Sequence, residues 1–369
     1  MPGFEDLARK CVRRFSPYVP GRPIEEIKER FGLNEVIKLA SNENPLGPSP
    51  KAAKAIPSCL TDLNRYPEGG STRLRGALAK KYRLDPTCVL VGAGSDEIIE
   101  LLAKSFLDKS DEIVVSEHAF IRYKMAGDLM GCRVVEVPMA GFTHDLRAMR
   151  ARVTKTTKII FIANPNNPTG TYVTRKEFAA FIEAVPRNKL VVMDEAYFEY
   201  ARHLNDYPDG LEFWRKGHRN IVVLRTFSKI FGLAGLRVGY ALGDASVLGQ
   251  VDRIRPPFNV TIPAQVACEA ALGDSRHVKR AAESNRTNMA WLCSQLDKHG
   301  IEYVPSATNF VLIKTAIGGV PMFNALLAKG VIVRPMAEYG FPSHVRVTVG
   351  TKREMNIFWK NFRALERRS

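Results

Sequence analysis

Apolar and polar positions along the chain form a pattern of short buried strands separated by helices. Apolar runs rich in β-branched residues occupy positions 89–91, 113–115, 159–163, 190–193 and 221–224. Uninterrupted runs of this length are typical of strands that are buried on both faces. Helical segments lie between them, and this alternation is typical of a parallel sheet covered by helices. The pattern therefore predicts an α/β fold.

The two ends of the chain show a more mixed pattern. Their predicted elements, in chain order, are a helix at 24–31, a strand at 36–39, helices at 262–272 and 275–300, and short strands at 309–313, 331–334 and 345–350. Such a mixture is typical of a smaller α+β domain, and the proline-containing segment 253–260 predicts the hinge that leads to it. We expect an N-terminal arm with part of the small domain at 1–45, a large domain at 46–255 and the small domain at 256–369.

Length and composition limit the class of protein. The chain has 369 residues, of which 45% are apolar and 25% are charged, so it is long enough for two domains and ordinary for a globular protein. No apolar run approaches the roughly 20 residues that span a bilayer, and the first residues lack the pattern of a signal peptide. We therefore expect a cytoplasmic protein that does not act in a membrane.

The cysteines and the net charge change this picture little. The six cysteines form no C-x-x-C pair and have no histidine at ligand spacing, so we expect neither disulfides nor a metal site. The formal net charge is +16, but lysine and arginine are spread along the chain, and we expect no nucleic-acid partner. The basic balance suits either an anionic small-molecule substrate or plain solubility.

The clearest chemical signal follows the apolar run at 221–224. Lys229 comes just after the predicted strand, where ligands bind in open α/β sheets. Two hydroxyl residues, Thr226 and Ser228, precede it, and Arg237 follows after a turn that contains two glycines. Lysine forms Schiff bases with carbonyl groups, whereas hydroxyls and arginine bind phosphate. Pyridoxal phosphate carries both groups, so the segment predicts a site for this cofactor.

A second phosphate-binding element is predicted after the strand at 89–91. The residues Ala93, Gly94 and Ser95 form a glycine-containing turn that opens a helix. The free backbone N–H groups and the positive end of the helix dipole at such a position favour an anion. We therefore expect these three residues to bind the cofactor phosphate together with the Lys229 segment.

Two further strand ends carry polar residues that suit the ring of pyridoxal phosphate. Asp194 and Tyr197 follow the strand at 190–193, and Asn167 follows the strand at 159–163. A buried carboxylate keeps a pyridinium nitrogen protonated, which makes Asp194 the candidate for that contact. Asn167 and Tyr197 are candidates for hydrogen bonds to the 3-oxygen of the ring.

The string at 225–237 resembles the lysine motif of fold-type I pyridoxal-phosphate enzymes and is similar to that of the histidinol-phosphate aminotransferase family. The string N-E-N-P-x-G at 42–47 resembles the same family, and the resemblance extends from Tyr18 to Gly350. It implies a large domain of three α/β/α layers around a mostly parallel sheet, a small α+β domain and a homodimer.

The resemblance also implies roles for individual residues. Lys229 would hold the cofactor as a Schiff base and would move the proton during the reaction. Phe120 would cover the ring face where many relatives have a tyrosine, and Tyr66 would reach the phosphate in the neighbouring subunit. Arg346 would clamp a substrate carboxylate. The implied substrate-binding residues are Tyr18, Asn44, Arg334 and Arg346.

The reaction that this resemblance implies is amino transfer from histidinol phosphate to 2-oxoglutarate, a step of histidine biosynthesis. Three alternatives stay open on the sequence alone. The strings at 118–120 and 334–336 are also similar to aminotransferases for phenylalanine or tyrosine. A decarboxylase of the threonine-phosphate type uses the same scaffold. A non-catalytic regulator that binds the cofactor would ordinarily need a DNA-binding domain, for which the chain has no spare residues.

Overall fold

The computed structural model of the protein describes residues 3–15 and 24–367. The strands of this part are β1 Ile37–Lys38, β2 Val89–Gly92, β3 Glu112–Ser116, β4 Arg133–Val137, β5 Thr157–Ala163, β6 Leu190–Asp194, β7 Ile221–Thr226, β8 Gly239–Leu242, β9 Tyr303–Val304, β10 Phe310–Lys314, β11 Val331–Ile332, β12 Arg334–Met336 and β13 Phe341–Thr348. They form a large sheet, a smaller antiparallel sheet and a two-stranded pair.

Helices surround these sheets in the described part of the chain. They are α1 Ile24–Phe31, α2 Pro50–Ala55, α3 Thr72–Tyr82, α4 Ser95–Phe106, α5 Ile121–Met130, α6 Leu146–Ala151, α7 Arg175–Ala184, α8 Phe198–Ala201, α9 Gly210–Arg215, α10 Ala245–Asp252, α11 Ile262–Leu272, α12 Ser275–Lys298, α13 Gly319–Leu327 and α14 Lys352–Glu366. Short 3-10 turns lie at Phe4–Leu7, Val12–Arg14, Ile56–Asp62, Pro86–Cys88, Ala234–Leu236 and Ala337–Tyr339.

The large sheet has seven strands in the order β2-β8-β7-β6-β5-β3-β4, and only β8 runs antiparallel to its neighbours. Successive residues of a strand point to opposite faces. Accordingly, Ile160 and Ile162 of β5 join one buried apolar cluster, whereas Ile159 and Phe161 join another. Because both faces are covered, the sheet is the middle of three layers, which confirms the predicted α/β fold.

The smaller sheet is antiparallel, with the order β12-β13-β10-β9. Its core contains Val311 and Val347 from the sheet together with residues of α12, α13 and α14. Ile37 and Leu39, from the N-terminal part of the chain, lie in the same core. A small α+β unit is therefore present beside the large sheet. The exact boundaries at 45/46 and 255/256 stay a prediction.

One predicted strand is divided between two sheets. The sequence pattern favours a single strand at 331–334, but Val331 and Ile332 pair in parallel with β1, and Arg334 starts an antiparallel strand beside β13. The division occurs because two different neighbours offer hydrogen bonds to consecutive parts of this segment. Arg334 thereby becomes the cross-strand partner of Arg346.

In residues 3–15 and 24–367, no helix combines the length and hydropathy needed to cross a membrane. The same residues contain no group of three or more histidine, cysteine or acidic side chains arranged to hold a metal ion. The six cysteines are all free thiols.

Candidate active site

The carboxyl ends of β5, β6 and β7 meet at one edge of the large sheet and open into a cavity of about 170 Å³. Side chains from three strand ends meet here because parallel neighbours end on the same side of a sheet. The cavity is lined by Gly94, Ser95, Asp96, Phe120, Tyr123, Ala163, Pro165, Asn167, Asp194, Ala196, Tyr197, Thr226, Ser228, Lys229 and Arg237. Ten of the residues that the sequence analysis selects as candidates are in this set.

Lys229 lies in a tight turn directly after β7. The N–H of Ser228 donates to Thr226 Oγ1 at 3.1 Å, and the N–H of Gly232 donates to the Lys229 carbonyl at 3.0 Å. The Lys229 Nζ is 3.4 Å from the Ser41 carbonyl oxygen and donates to it. Burial, together with the nearby Arg346 guanidinium, lowers the pKa of Lys229 to about 8. Roughly a tenth of this amine is therefore neutral at pH 7, far more than for an ordinary lysine, and only the neutral amine is a nucleophile.

The anion-binding side of the cavity is built around Gly94. This residue has a φ of +87° and precedes the first turn of α4, and its cavity-facing side would contact Arg237 Nη2 if it carried a Cβ. A Cβ on Gly239 would lie 2.2 Å from the backbone nitrogen of Ser95, so only glycine allows β8 to approach this turn. The helix N-terminus, Arg237 and Ser228 therefore face a common space that suits a phosphate.

The carboxylate of Asp194 is buried at the floor of the cavity. Its Oδ2 accepts a hydrogen bond from the Tyr123 hydroxyl at 2.7 Å, and its Oδ1 accepts from the N–H of Ala196 at 3.1 Å. Burial raises the pKa of Asp194 to about 6, although both hydrogen bonds oppose the rise. Both donors are neutral, so the charge of this carboxylate is available to a cation in the cavity.

Tyr197 and Asn167 flank the opposite part of the cavity. The Tyr197 hydroxyl accepts a hydrogen bond from Asn42 Nδ2 at 2.8 Å, and burial raises the pKa of Tyr197 to about 12. Asn167 Oδ1 accepts a short hydrogen bond from Arg346 Nη1, and Arg346 Nη2 donates to the Ala40 carbonyl at 2.9 Å. Arg346 belongs to β13, so the smaller sheet contributes a cation beside the cavity.

Several candidates do not line the cavity in this chain. The N–H of Ala93 already donates to Glu97 Oε2 at 2.6 Å. Asn44 is buried, and its Nδ2 donates to the carbonyl of Ile230, the residue after Lys229, at 2.8 Å. Arg334 forms an ion pair with Glu338 at 3.0 Å. The structure therefore gives these residues local partners, and their predicted contacts with cofactor or substrate stay predictions.

Tyr66 also lies outside the cavity of its own chain. Its side chain is 80% exposed and stacks on Phe258 with the ring centroids 4.7 Å apart. Its predicted contact with the cofactor phosphate of a neighbouring subunit stays a prediction. Tyr18 lies outside the described residues.

Three residues that shape this site, Tyr123, Asp96 and Asn42, are not among the candidates predicted from the sequence. Tyr123 is three positions after Phe120 on α5, and this helical spacing was the available signal that both share one face. Asp96 lines the cavity and is held by Arg122 Nε at 2.8 Å, which balances its negative charge beside the anion-binding turn. Asn42 belongs to the string at 42–47, and nothing in the sequence indicates that it contacts Tyr197.

The chain belongs to the aminotransferase class I and II family, whose model matches residues 34–362. It is 43% identical over 359 residues to the histidinol-phosphate aminotransferase of Moorella thermoacetica, a match that covers 97% of this chain and 92% of that protein. It is 48% identical over 345 residues to the histidinol-phosphate aminotransferase of Anaeromyxobacter sp., covering 93% and 94%. The predicted family is thereby confirmed.

A solved structure agrees with this assignment. The histidinol-phosphate aminotransferase of Sinorhizobium meliloti, determined in complex with pyridoxal 5'-phosphate, superposes with a TM-score of 0.83 at 27% identity and covers 95% of this chain and 98% of that one. The fold-type I architecture that the sequence implied is therefore confirmed.

The residues of the cavity fit pyridoxal phosphate chemically. A buried carboxylate with neutral partners, an amine of lowered pKa and a glycine-lined helix N-terminus occupy three sides of one small space. These three features correspond to the pyridine nitrogen, the carbonyl and the phosphate of that molecule. Residues of the same types that met by chance on the protein surface would be exposed to solvent and would not be buried in this way.

Proposed function

We propose that this protein is a pyridoxal-phosphate-dependent histidinol-phosphate aminotransferase, acting as a cytoplasmic homodimer. The observation that carries the proposal is the convergence of Lys229, Asp194 and the Gly94 turn on one buried cavity in a chain of this family. The substrates would be histidinol phosphate as amino donor and 2-oxoglutarate as acceptor, because the curated relatives at 43% and 48% identity carry that name.

The residues of the cavity would divide the binding of the cofactor among them. Asp194 would hold the pyridine nitrogen, Asn167 and Tyr197 the 3-oxygen, and Phe120 the ring face. Gly94, Ser95, Ser228 and Arg237 would hold the phosphate. Pyridoxal phosphate, when bound, supplies a carbonyl carbon that takes the amino group and a ring that accepts the electron pair of the substrate carbon.

Lys229 would act as the base and acid of the reaction. Its pKa of about 8 allows it to release and regain a proton near neutral pH, as efficient proton transfer requires. The turn after β7 places Lys229 in the lining of the cavity, where its amine would take a proton from the substrate carbon and hold it for return.

Two arginines on neighbouring strands support an anionic substrate. Arg334 and Arg346 are cross-strand partners in the smaller sheet, so two cationic side chains belong to neighbouring strands. Arg334 pairs with Glu338, and Arg346 donates to Asn167. Histidinol phosphate has no α-carboxylate, so we propose that Arg346 binds the carboxylate of glutamate in one half-reaction. Arg334, and with it Tyr18, would serve the substrate phosphate.

The homodimer is supported by an exposed apolar surface near Tyr66. Leu60, Leu63, Ile254 and Phe258 are each between 44% and 55% exposed in this chain. We propose that the neighbouring subunit covers them and that Tyr66 reaches the neighbour's cofactor phosphate. Mixing a Lys229→Ala subunit with a Tyr66→Ala subunit tests this, because a Tyr66 that acts across the interface regenerates one intact site per mixed dimer. A Tyr66 that acts within its own chain restores no activity.

The function is tested by the absorption spectrum of the purified protein. We expect a visible band of bound pyridoxal phosphate, which histidinol phosphate and glutamate each convert to the aminated form of the cofactor. Phenylalanine should react much more slowly. Fast conversion by phenylalanine would move the assignment to an aromatic aminotransferase, and release of carbon dioxide would favour a decarboxylase. A protein that binds the cofactor but converts no donor would support the regulator instead.

A further inference from the structure

Asn42 is the residue that connects the Tyr197 hydroxyl to the smaller sheet. It does not line the cavity, it is 2% exposed, and every polar group that it carries has a partner. Its Nδ2 donates to the Tyr197 hydroxyl at 2.8 Å, and its backbone N–H donates to Thr348 Oγ1 at 2.9 Å. Thr348 Oγ1 in turn donates to Asn42 Oδ1 at 3.3 Å, and Asn309 Nδ2 donates to the Asn42 carbonyl at 3.0 Å.

This network determines which way the Asn42 amide faces. Thr348 Oγ1 accepts the backbone N–H of Asn42, so its own hydroxyl proton needs an acceptor. Asn42 Oδ1 provides that acceptor, whereas the reversed amide would present N–H groups to Thr348. The backbone of Asn42 has a φ of +56°, a conformation that asparagine tolerates better than most residues. The amide nitrogen is therefore held against Tyr197 by both backbone and side-chain contacts.

The direction of this hydrogen bond limits what the Tyr197 hydroxyl can do. An amide NH₂ group only donates, so the Tyr197 oxygen is the acceptor and its single proton cannot go to Asn42. Tyr197 lines the cavity, so the remaining direction for this proton is into it. A hydroxyl without this constraint could instead rotate its proton towards the protein.

We infer that Asn42 is a positioning residue that directs the Tyr197 proton towards the 3-oxygen of the bound cofactor. This inference rests on the proposed function, because it takes the ring oxygen to be the acceptor in the cavity. A hydrogen-bond donor to that oxygen stabilises the negative charge of the oxygen. This charge is neutralised least when the nitrogen joined to Lys229 has lost its proton, so the donor favours the deprotonated form. Asn42 would thus lower the pH at which that nitrogen is deprotonated.

The inference is tested by the pH midpoint at which the absorption band of the bound cofactor changes, measured on the full-length holoenzyme. Asn42→Asp keeps the shape of the side chain but replaces the donor by an acceptor, so the Tyr197 proton turns away from the cavity. We expect the midpoint to rise by about one pH unit. Asn42→Gly removes the side chain without straining the left-handed backbone and should raise the midpoint by less.

The relative size of the midpoint shifts in these two variants distinguishes a positioning role of Asn42 from a packing role. A residue that only fills space and satisfies partners would be harmed more by Asn42→Gly than by the isosteric Asn42→Asp. The double variant Asn42→Asp with Tyr197→Phe excludes a direct effect of the new charge. We expect the shift caused by Asn42→Asp to vanish when Tyr197 has no hydroxyl, and a shift that persists would overturn the inference.

Asn288→Asp provides the matched control. Asn288 is also buried, and its Nδ2 donates to the Gly350 carbonyl at 3.0 Å, but it lies on α12 outside the cavity. The midpoint of this variant should equal that of the wild type. If the wild-type holoenzyme shows no cofactor band, the proposed function itself fails, whereas a normal band with no difference among the Asn42 variants overturns only the role of Asn42.

Discussion

Asp194 and Glu195 are consecutive in the chain and both are buried, yet they lie in two very different regions. Asp194 faces the cavity, and within residues 3–15 and 24–367 its carboxylate accepts hydrogen bonds only from the neutral groups of Tyr123 and Ala196. Glu195 faces the other side of the sheet, where its Oε2 accepts from Arg225 Nη2 at 2.7 Å and from Arg225 Nε at 2.9 Å. The alternation of side chains along a strand places them apart.

The region around Glu195 is a cluster of ion pairs and hydrogen bonds. Glu195 Oε1 accepts the N–H of Gly210 at 2.8 Å, and Arg225 also binds Asp209 at 2.9 Å. Arg225 is 1% exposed and its guanidinium carbon lies 3.4 Å from the centre of the Phe198 ring. Burial raises the pKa of Glu195, and the Arg225 guanidinium opposes that rise.

The difference teaches that burial alone does not mark a functional carboxylate. Glu195 already has its cation, so its charge contributes to the fold and is not available to a ligand. Asp194 has only neutral donors, so its charge awaits a cationic partner in the cavity. Substitutions in the cavity should therefore reduce activity while the fold persists, and substitutions in the cluster should reduce stability first.

The largest expected effect is that of Lys229→Ala. The change removes the nucleophile and the proton carrier, so we expect amino transfer to fall by at least about 10³-fold. The melting temperature should change little, because alanine replaces a lysine whose charged form is disfavoured by burial. Steady-state kinetics measure the activity, and melting curves of the wild type and the variant, both freed of cofactor, measure the stability. A variant that melts far below the wild type would contradict the separation of the two regions.

Glu195→Gln should have the opposite effect and reduce stability before it reduces activity. It leaves the buried guanidinium of Arg225 with one carboxylate partner fewer, and we expect the free energy of unfolding to fall by about 3 kcal/mol. Chemical denaturation measures the loss. Glu302→Gln is the matched control, since Glu302 is paired with Lys314 on the surface and is 74% exposed. The control should change the free energy of unfolding by less than about 1 kcal/mol.

The third prediction concerns the pH dependence of stability in the protein freed of cofactor. The pKa of Asp194 is about 6 in the folded protein against an ordinary value of 3.8. A raised folded-state pKa gives stability that is present below about pH 4 and is lost as the pH rises through 6. The loss is at most about 3 kcal/mol. Denaturation of wild type and Asp194→Asn between pH 4 and 7 should show it.

In that comparison, the wild type should lose stability relative to Asp194→Asn as the pH rises. Bound cofactor should remove the difference, because a cation beside Asp194 stabilises its charged form. Parallel curves for the two proteins in the absence of cofactor would show that Asp194 is not desolvated.

The smallest expected effect is that of Tyr123→Phe. The ring remains stacked on Phe161, with centroids 4.9 Å apart, but Asp194 loses its hydroxyl donor. Hydrogen bonds to charged groups contribute about 1.5 to 3 kcal/mol, so we expect kcat/KM to fall by about 30-fold. Tyr172→Phe is the control, since Tyr172 donates to Asp206 at the same distance of 2.7 Å outside the cavity. Equal effects of the two substitutions would contradict a special role for Tyr123.

Much of the candidate site could be predicted because its residues follow strands directly. Lys229, Asp194 and Asn167 each come a few positions after an apolar run, and parallel strands end on the same side. The glycine turn at Gly94 was recognisable for the same reason. Local sequence therefore determined which side chains would meet in the cavity.

The contacts of Asn42, Tyr123 and Arg346 could not be predicted in this way. Asn42 and Tyr197 are 155 positions apart, and Arg346 and Asn167 are 179 apart. No local pattern specifies such pairs, because they depend on how α5 and the smaller sheet pack against the large one. Asn44 likewise donates to the distant Ile230 carbonyl, whereas the Ala93 N–H donates to Glu97, only four positions away.

The sequence by itself determined the alternating strands and helices, the family and the residues that extend from the strand ends. These features follow from hydrophobic periodicity and from short strings in which neighbours in the chain are also neighbours in space. The tertiary structure alone decided the surroundings of each charge, with Asp194 beside neutral donors and Glu195 beside Arg225. The physical reason is that the energy of a buried charge depends on groups brought to it from distant parts of the chain.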